Sequence, residues 1–209
     1  MTNQRGLFIV LEGIDGAGTT TQAKRLAASL SEHAVECHLT REPTDGPIGK
    51  LLREILTGAY QPTDATTLGL LFAADRADHL QREIFPALQA GKVVISDRYY
   101  HSSLAYQGSD EDREWISQLN KRARSPSRTF FLKVDPKVAA ARREADDRDD
   151  ELFDSVNTQL RVAHGYEEVV RSLSSDEDIV VLDGHLSLDD LSAEILKSTL
   201  TLLGSNDEN

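Results

Sequence analysis

The sequence has little cysteine, little positive charge and no long apolar run, and each shortage excludes a class of protein. Its single cysteine, Cys37, cannot form an internal disulfide, which favours a reducing, cytoplasmic location. We expect no transmembrane helix and no membrane partner, because no apolar run reaches the length of about 18 residues that a spanning helix needs. The N-terminal residues lead directly into a strand pattern and do not read as a signal peptide.

Negative charge dominates the chain: 35 Asp and Glu against 23 Lys and Arg give a formal net charge of −12. Such a field disfavours nonspecific nucleic-acid binding, which needs clustered Lys and Arg, so we expect no nucleic-acid partner. It also repels free nucleotides, and any phosphate site must therefore be locally basic. The candidates for that role are the arginines at 41, 76, 98, 142, 143 and 148.

Short apolar runs alternate with helical patterns along all 209 residues. The strand-like runs are 7–11, 35–39, 93–95, 129–134 and 179–182. The helical patterns span about 19–32, 47–57, 64–85, 110–123, 136–145, 151–173 and 187–203. This alternation predicts a single α/β domain over residues 1–209, with a five-stranded parallel sheet covered by helices on both faces.

A glycine-rich turn after the first apolar run carries the strongest functional signal. Residues 13–20 read Gly-Ile-Asp-Gly-Ala-Gly-Thr-Thr, close to the phosphate-loop pattern of Gly, four residues, Gly, Lys and Ser or Thr. Its glycines let backbone N–H groups converge on an anion, and the following helix adds its own free N–H groups. The alternative is an ordinary strand-to-helix turn. The predicted nucleotide-phosphate site comprises Gly13, Gly16, Ala17, Gly18, Thr19, Thr20 and Thr21.

Thr19 stands where the phosphate-loop pattern has lysine, so the loop lacks its usual cation. A lysine would bridge the outer phosphates with a point charge, whereas threonine offers a neutral hydroxyl. Thr20 takes the position whose hydroxyl binds Mg²⁺ in the pattern. The missing lysine is the one feature that supports an alternative function, a non-catalytic nucleotide-binding protein.

Two further residue pairs suit the remainder of a nucleotide. Asp97 and Arg98 follow the third apolar run, and parallel strands end at the same edge of a sheet, so Asp97 can hold Mg²⁺ through water while Arg98 clamps a phosphate. Phe72 and Arg76 are four residues apart on one helix face and can hold a planar base. The alternatives are a surface ion pair for the first and ordinary core and surface residues for the second.

Residues 142–150 are dense in both charges and nearly free of apolar side chains. The segment contains Arg142, Arg143 and Arg148 among several Asp and Glu. We interpret it as a basic lid, at about 142–150, that closes over a polyphosphate. A solvated helix end is the alternative.

Together these segments resemble the thymidylate kinases, a family of P-loop nucleoside monophosphate kinases. The matching stretches are 11–18, 40–43, 71–76, 96–99 and 102–108, in the family's order and roughly at its spacing. The resemblance implies a three-layer P-loop kinase fold. It also implies a homodimeric enzyme that uses Mg²⁺ and transfers the γ-phosphate of ATP to dTMP, giving dTDP. A kinase for another nucleoside monophosphate or for a deoxynucleoside is the alternative within enzymes.

The resemblance also implies roles for single residues around the nucleoside of dTMP. Phe72 would stack on thymine, and Arg76 would bind an exocyclic oxygen of the base. Ser103 and Gln107 would be further dTMP contacts. Tyr106 would lie under the sugar and disfavour a 2′-hydroxyl.

The remaining implied roles concern the phosphates. Arg98 would grip the acceptor phosphate, with Asp15 organising its approach and Arg41 as a second phosphate ligand. One class of the family carries an arginine at the position of Gly16, and the other has glycine there and supplies basic groups from the lid. This chain resembles the second class. The implied catalytic residues are therefore Asp15, Arg98, Arg143 and Arg148.

Overall fold

Five parallel strands form one sheet in the order β2-β3-β1-β4-β5. The structure is a computed structural model that describes residues 6–60, 64–108, 113–145, 152–153 and 155–207. The all-parallel sheet that the alternating pattern predicts is confirmed. The strands are β1 (Phe8–Glu12), β2 (Cys37–Arg41), β3 (Val93–Asp97), β4 (Arg128–Lys133) and β5 (Ile179–Asp183).

Helices connect these strands and pack against the sheet. A π-helical turn, Leu80–Ile84, joins the third and fourth helices into one continuous helical segment. The helices are α1 (Thr19–Glu32), α2 (Pro47–Leu56), α3 (Ala65–His79), α4 (Phe85–Gln89), α5 (Tyr100–Tyr106), α6 (Arg113–Asn120), α7 (Pro136–Ala145), α8 (Val156–Leu173) and α9 (Leu188–Asp207).

Both faces of the sheet are covered. Every residue of β1 and of β3 is buried, and successive side chains of a strand point to opposite faces, so helices must lie on each side. Phe8 packs edge-on against Tyr99 with ring centroids 5.0 Å apart, which ties β1 to the residue that precedes α5. Leu11 and Arg41 both pair with Asp97, so the carboxyl ends of β1, β2 and β3 lie together.

The second strand lies two residues later than the apolar run predicts. That run is 35–39, whereas β2 is Cys37–Arg41. Ala34 has a φ of 60°, and the N–H of Val35 donates to the carbonyl of Leu30 at 2.9 Å, so the chain is still closing the end of α1 there. Because β2 is an edge strand with half-buried and exposed residues, polar side chains extend it.

The helix predictions omit α5 and misplace several helix ends. Helix α8 begins at Val156, five residues after the predicted start at 151, and α9 continues to Asp207, four residues beyond the predicted end at 203. Helix α5 directly follows β3 and was not among the helical patterns; it packs against α8 instead of presenting a polar face to solvent. The pattern over 64–85 continues to Gln89 through the π-helical turn. In the part of the chain that the structure describes, no helix combines the length and apolar character needed to cross a membrane.

Candidate active site

The carboxyl ends of β1, β2 and β3 open into a cavity of about 350 Å³. Arg41, Arg53, Arg76, Arg98 and Arg143 line it, against three carboxylates, so the cavity is locally basic in an acidic chain, as a phosphate site requires. Most of the sequence-predicted residues meet here. They are Asp15, Gly16, Gly18, Thr19, Thr20, Thr21, Phe72, Asp97, Ser103, Tyr106 and Gln107, in addition to four of those arginines.

The glycine-rich loop runs from the end of β1 to the start of α1. Gly16 and Gly18 have φ values of 88° and 97°, a backbone region that side chains disfavour, and the N–H of Ala17 closes a turn onto the carbonyl of Ile14 at 3.0 Å. Helix α1 begins at Thr19, so its unpaired N–H groups end at the cavity. Backbone amides and a helix N-terminus directed at one cavity form an anion site.

Gly16 lies against helix α7. A Cβ atom at this position would collide with the carbonyl oxygen of Ala139 and come within 3.1 Å of the Arg143 Cγ. Arg143 is 8% exposed and donates a hydrogen bond from Nη1 to the backbone oxygen of Asp15. The phosphate loop and an arginine of the proposed lid are thus in direct contact.

Arg142, the other lid arginine within the described residues, is placed differently. Arg142 donates from Nη2 to the carbonyl of Gly184 at 2.9 Å, which ties α7 to the turn after β5, and it does not line the cavity. Arg148 lies outside the described residues, as do the rest of 146–150. Of the two lid arginines that the structure describes, Arg143 lines the cavity and Arg142 does not.

The two threonines after the loop have different surroundings. Thr19 is 5% exposed and lines the cavity, and its hydroxyl has no hydrogen-bond partner in the described part of the chain. The hydroxyl of Thr20 donates to the Asp97 Oδ2 atom. The Asp97 Oδ1 atom is buried with no donor among the described residues. A hydroxyl beside a carboxylate with a spare oxygen fits a hard divalent cation such as Mg²⁺.

Arg98 is held at the centre of the site. Its φ of 72° is unusual for a residue with a side chain and turns the guanidinium back over the loop. Nη2 donates to Asp15 Oδ1 at 2.7 Å, and Nη1 donates to the carbonyl of Gly13 at 2.8 Å. Burial works against its charge, but Tyr106 and Asp15 raise the pKa of Arg98 well above its ordinary value. The guanidinium is a fixed positive charge between the phosphate loop and α5.

Asp15 links the loop to three other elements. Its Oδ2 atom accepts from the Tyr106 hydroxyl at 2.8 Å and from Gln159 Nε2 at 2.9 Å. Its backbone N–H donates to Gln159 Oε1 at 3.3 Å. The carboxylate that the sequence assigns to the acceptor side therefore contacts Arg98, α5 and α8 at once.

Arg76 forms the opposite end of the cavity. It is 2% exposed, and its guanidinium lies over the Tyr99 ring at 5.4 Å. Nε donates to Glu42 Oε2 at 2.9 Å, and Nη2 donates to the Ser103 hydroxyl at 3.0 Å. These bonds fix the plane of the guanidinium, and Phe72 lines the cavity on the same helix.

Further polar groups lie at this end of the cavity. Nη1 of Arg76 donates to the Asn120 side chain, and the Gln107 Oε1 atom is buried without a donor in the described residues. Arg41 lies at the rim, where it donates to Asp45 at 2.8 Å, so its place at the cavity agrees with a peripheral phosphate contact. The arrangement offers an arginine, a hydroxyl and an amide oxygen to a planar heterocycle.

A buried histidine lies between two carboxylates behind the site. Nε2 of His101 is 2.9 Å from Glu177 Oε2, and Nδ1 is 3.6 Å from Glu12 Oε1. His101 is 2% and Glu12 1% exposed. Burial opposes every charge here, but the nearby charge of Glu12 and the charge and hydrogen bond of Glu177 raise the pKa of His101. The same contacts, again against burial, lower the pKa of Glu12 and of Glu177.

Replacing His101 with glutamine should make the free energy of unfolding depend differently on pH. A raised folded pKa means that the contribution of His101 is fully present below its ordinary value of 6.5 and is lost as pH rises through the folded value. The glutamates contribute fully above 4.5 and lose that contribution as pH falls through their lowered pKa values. Wild type should therefore exceed the variant most between pH 4.5 and 6.5, as urea denaturation across the pH range would measure.

The exposed His33, whose ring nitrogen Nδ1 lies 2.8 Å from the Ser29 carbonyl oxygen at the end of α1, provides the matched control. His33→Gln should leave the pH dependence of unfolding as it is in wild type. A wild-type advantage over His101→Gln that stays constant on the alkaline side would show that His101 is neutral in the folded protein.

Four distant partners of predicted site residues were not identified from the sequence: Glu42, Asn120, Gln159 and Tyr166. Each bonds a predicted residue from a distant part of the chain, and no local spacing reports such a contact. Gln159 alone leaves a trace, since it lies three residues before Val162 and seven before Tyr166 on the buried face of α8, where a polar side chain needs a partner.

Comparison with known proteins agrees with this geometry. A family model described as thymidylate kinase matches residues 11–195. A probable thymidylate kinase of Pyrococcus horikoshii is 43% identical over 191 residues, which cover 84% of this chain and 92% of the relative. A probable thymidylate kinase of Thermococcus kodakarensis is 40% identical over 209 residues, covering 95% of this chain and 99% of the relative. The thymidylate kinase of Symbiobacterium thermophilum is 37% identical and covers 90% of each chain.

Proposed function

Because the chain belongs to the thymidylate kinase family, we propose that it transfers the γ-phosphate of ATP to dTMP and releases dTDP and ADP. The observation that carries the proposal is the ion pair of Asp15 and Arg98, 2.7 Å apart. It joins the phosphate loop, where a donor nucleotide binds, to the residue placed for an acceptor phosphate. A non-catalytic nucleotide-binding protein has no need of this connection.

The donor side is built mainly from backbone. Amides of the loop and of the first turn of α1 would bind the ATP phosphates, with the hydroxyls of Thr19, Thr20 and Thr21 beside them. Thr20 and Asp97 would hold Mg²⁺. The metal ion would supply charge neutralisation across the transferring phosphates.

On the acceptor side, the residues form a sequence from base to phosphate. Phe72 would stack on thymine, and Arg76 would donate to an exocyclic oxygen of the base. Ser103 would bind the edge of the base through its hydroxyl, and Gln107 would accept an N–H of the base through its amide oxygen. Tyr106, whose hydroxyl is fixed on Asp15, would underlie the sugar. Arg98 would then meet the 5′-phosphate, with Arg41 at the rim.

In the reaction, an oxygen of the dTMP phosphate attacks the γ-phosphorus of ATP. A bond forms between that oxygen and phosphorus, and the bond from phosphorus to the bridging oxygen of ADP breaks. Little covalent work is left to the protein, so positioning and positive charge carry the catalysis. Arg98 holds the nucleophile in line, and Arg143 with the loop amides stabilises charge on the transferring group.

The cavity should select dTMP over dUMP, and dUMP over any ribonucleotide. The base contacts of Phe72 and Arg76 and the position of Tyr106 support this order. A coupled assay of ADP release with a panel of monophosphates measures it. Phe72→Ala should raise KM for dTMP more than KM for ATP, whereas Thr66→Ala, at an exposed position of the same helix outside the cavity lining, should change neither. Equal turnover of UMP, CMP and dTMP would contradict the assignment.

We also propose that the enzyme is a cytoplasmic homodimer with a lid at its α7 end. Large apolar side chains remain exposed on α2, α3 and α6, at Leu51, Leu70 and Trp115, and these helices pack beside one another. A second copy covering them would remove apolar surface from water. Sedimentation equilibrium measures the mass directly, and a monomer at micromolar concentration would contradict the dimer.

A further inference from the structure

Glu12 ends β1, directly before the phosphate loop, and it is buried and is not among the residues that line the cavity. We propose that Glu12 is a positioning residue, which holds the Arg98 guanidinium in place for the acceptor phosphate through the hydroxyls of Ser102 and Tyr166. The inference rests on the proposed function, because it gives Arg98 the phosphate as its ligand.

The carboxylate of Glu12 is fully engaged. Its Oε1 atom accepts the backbone N–H of Tyr99 at 2.8 Å and that of Ser102 at 3.3 Å. Its Oε2 atom accepts the hydroxyls of Ser102 at 2.7 Å and Tyr166 at 2.8 Å. One oxygen thus anchors the backbone that leads from Arg98 into α5, and the other anchors two side chains.

Those two hydroxyls are also the partners of Arg98. Nη1 of Arg98 lies 3.2 Å from the Ser102 hydroxyl and 3.1 Å from the Tyr166 hydroxyl. Arginine can only donate, so both hydroxyl oxygens accept from it and share the two N–H bonds of Nη1 with the Gly13 carbonyl. The two hydroxyl groups can accept from the guanidinium only when their own protons point away from it.

The charge of Glu12 sets where those protons point. Ser102 Oγ, Tyr166 Oη and Glu12 Oε2 form a triangle, in which the two hydroxyls are 2.8 Å apart. An ionised carboxylate contributes no proton, so the two hydroxyl protons can both lie within the triangle. Either both go to Glu12, or one goes to the other hydroxyl, and in each case the lone pairs facing Arg98 stay available.

The ionised state of Glu12 has its own support. His101 and Arg98 hold the pKa of Glu12 below its ordinary value against the effect of burial. Glu177 faces His101 from the segment before β5, and its pKa is lowered in turn. The reaction itself assigns no role to His101 and Glu177. Their role here is to keep the Glu12 carboxylate ionised.

Glutamine at position 12 cannot reproduce the pattern. In one orientation its NH₂ group faces the N–H groups of Tyr99 and Ser102, and in the other it donates into the triangle and displaces a hydroxyl proton towards Arg98. Either orientation sets a donor against a donor. The substitution should therefore weaken binding of the acceptor phosphate, which Arg98 contacts, and leave binding of the rest of the nucleotide unchanged.

The test compares dTMP with thymidine, which lacks the phosphate, by titration calorimetry. Wild type should bind dTMP more tightly than thymidine. Glu12→Gln should lose about tenfold in dTMP affinity, the size of a charge-assisted hydrogen bond, while thymidine affinity stays unchanged. Ile9→Val, a conservative change within buried β1, controls for altered packing and should leave the ratio of the two affinities as in wild type.

Further variants keep the inference falsifiable if Glu12→Gln does not fold. Tyr166→Phe and Ser102→Ala each remove one hydroxyl, and each should lower the dTMP-to-thymidine ratio by less than Glu12→Gln. In an Arg98→Ala background, Glu12→Gln should cause no further loss of dTMP affinity. An equal loss for both ligands, or no loss for either, would overturn the positioning role.

The failure of the proposed function has a different signature. If wild type and Arg98→Ala prefer dTMP over thymidine to the same degree, Arg98 does not bind the acceptor phosphate, and the proposed site is wrong from the start. If Arg98→Ala abolishes the preference while Glu12→Gln leaves it intact, the site stands and only the role of Glu12 falls.

Discussion

Replacing Arg98 with alanine should lower kcat/KM for dTMP by about 10²–10³-fold, the cost of removing one preorganised charged donor from a transition state. The guanidinium is fixed by Asp15 and by the carbonyl of Gly13, so it costs little reorganisation when phosphate arrives. Initial rates with dTMP varied at saturating ATP give the effect.

Arg98→Lys should restore only part of the activity. An ammonium is a point charge and cannot present the planar fork that meets several acceptors at once. Arg82→Ala is the matched control, because Arg82 is an exposed arginine paired with Asp78 far from the cavity. Near-normal kcat/KM for Arg98→Ala would mean that the acceptor phosphate is bound elsewhere.

Neutralising Arg143 should cost about a hundredfold in kcat, because the loop has no lysine and each remaining cation carries more of the developing charge. Thr19→Lys should raise turnover, since its ammonium would enter the cavity that Thr19 lines. It should also reduce the penalty of Arg143→Ala. A double-mutant cycle in kcat measures that coupling directly.

Arg142→Ala is the control for the Arg143 experiment. It removes an arginine from the same turn of α7, but one that bonds Gly184 and does not line the cavity, so its effect should be smaller. If Thr19→Lys leaves turnover unchanged or lowers it, the site is built around threonine and the charge argument is wrong. If calorimetry detects no ATP binding, the proposed ATP site at the phosphate loop is wrong.

The sequence predicts the fold where burial produces a clear pattern. Buried strands such as β1 and β3 read as apolar runs, and α1 was predicted with its observed bounds. Edge strand β2 shifts by two residues because its exposed positions tolerate Thr40 and Arg41. Helix α5 was missed because it is buried on several sides and has no amphipathic period to detect.

The site residues likewise fall into two groups, those that a local sequence pattern identifies and those that it does not. Asp15, Thr20 and Arg98 adjoin strand ends and glycines, so local motifs identify them. Their supports come from far along the chain: Gln159 bonds Asp15 across 144 positions, and Arg98 bonds Tyr166 across 68. Such pairings depend on how α8 packs against the loop, which only tertiary structure determines.

The contact between Gly16 and Ala139 also limits how this site can change over generations. A side chain at 16 and the present position of α7 compete for the same volume, so a lone substitution of Gly16 is rejected before any new charge can be tested by selection. Moving a basic group from the helix into the loop requires a retreat of α7 as well, and the intermediate with only one change is unfit. The two arrangements are therefore separated by an epistatic barrier, and a lineage that has adopted one tends to keep it.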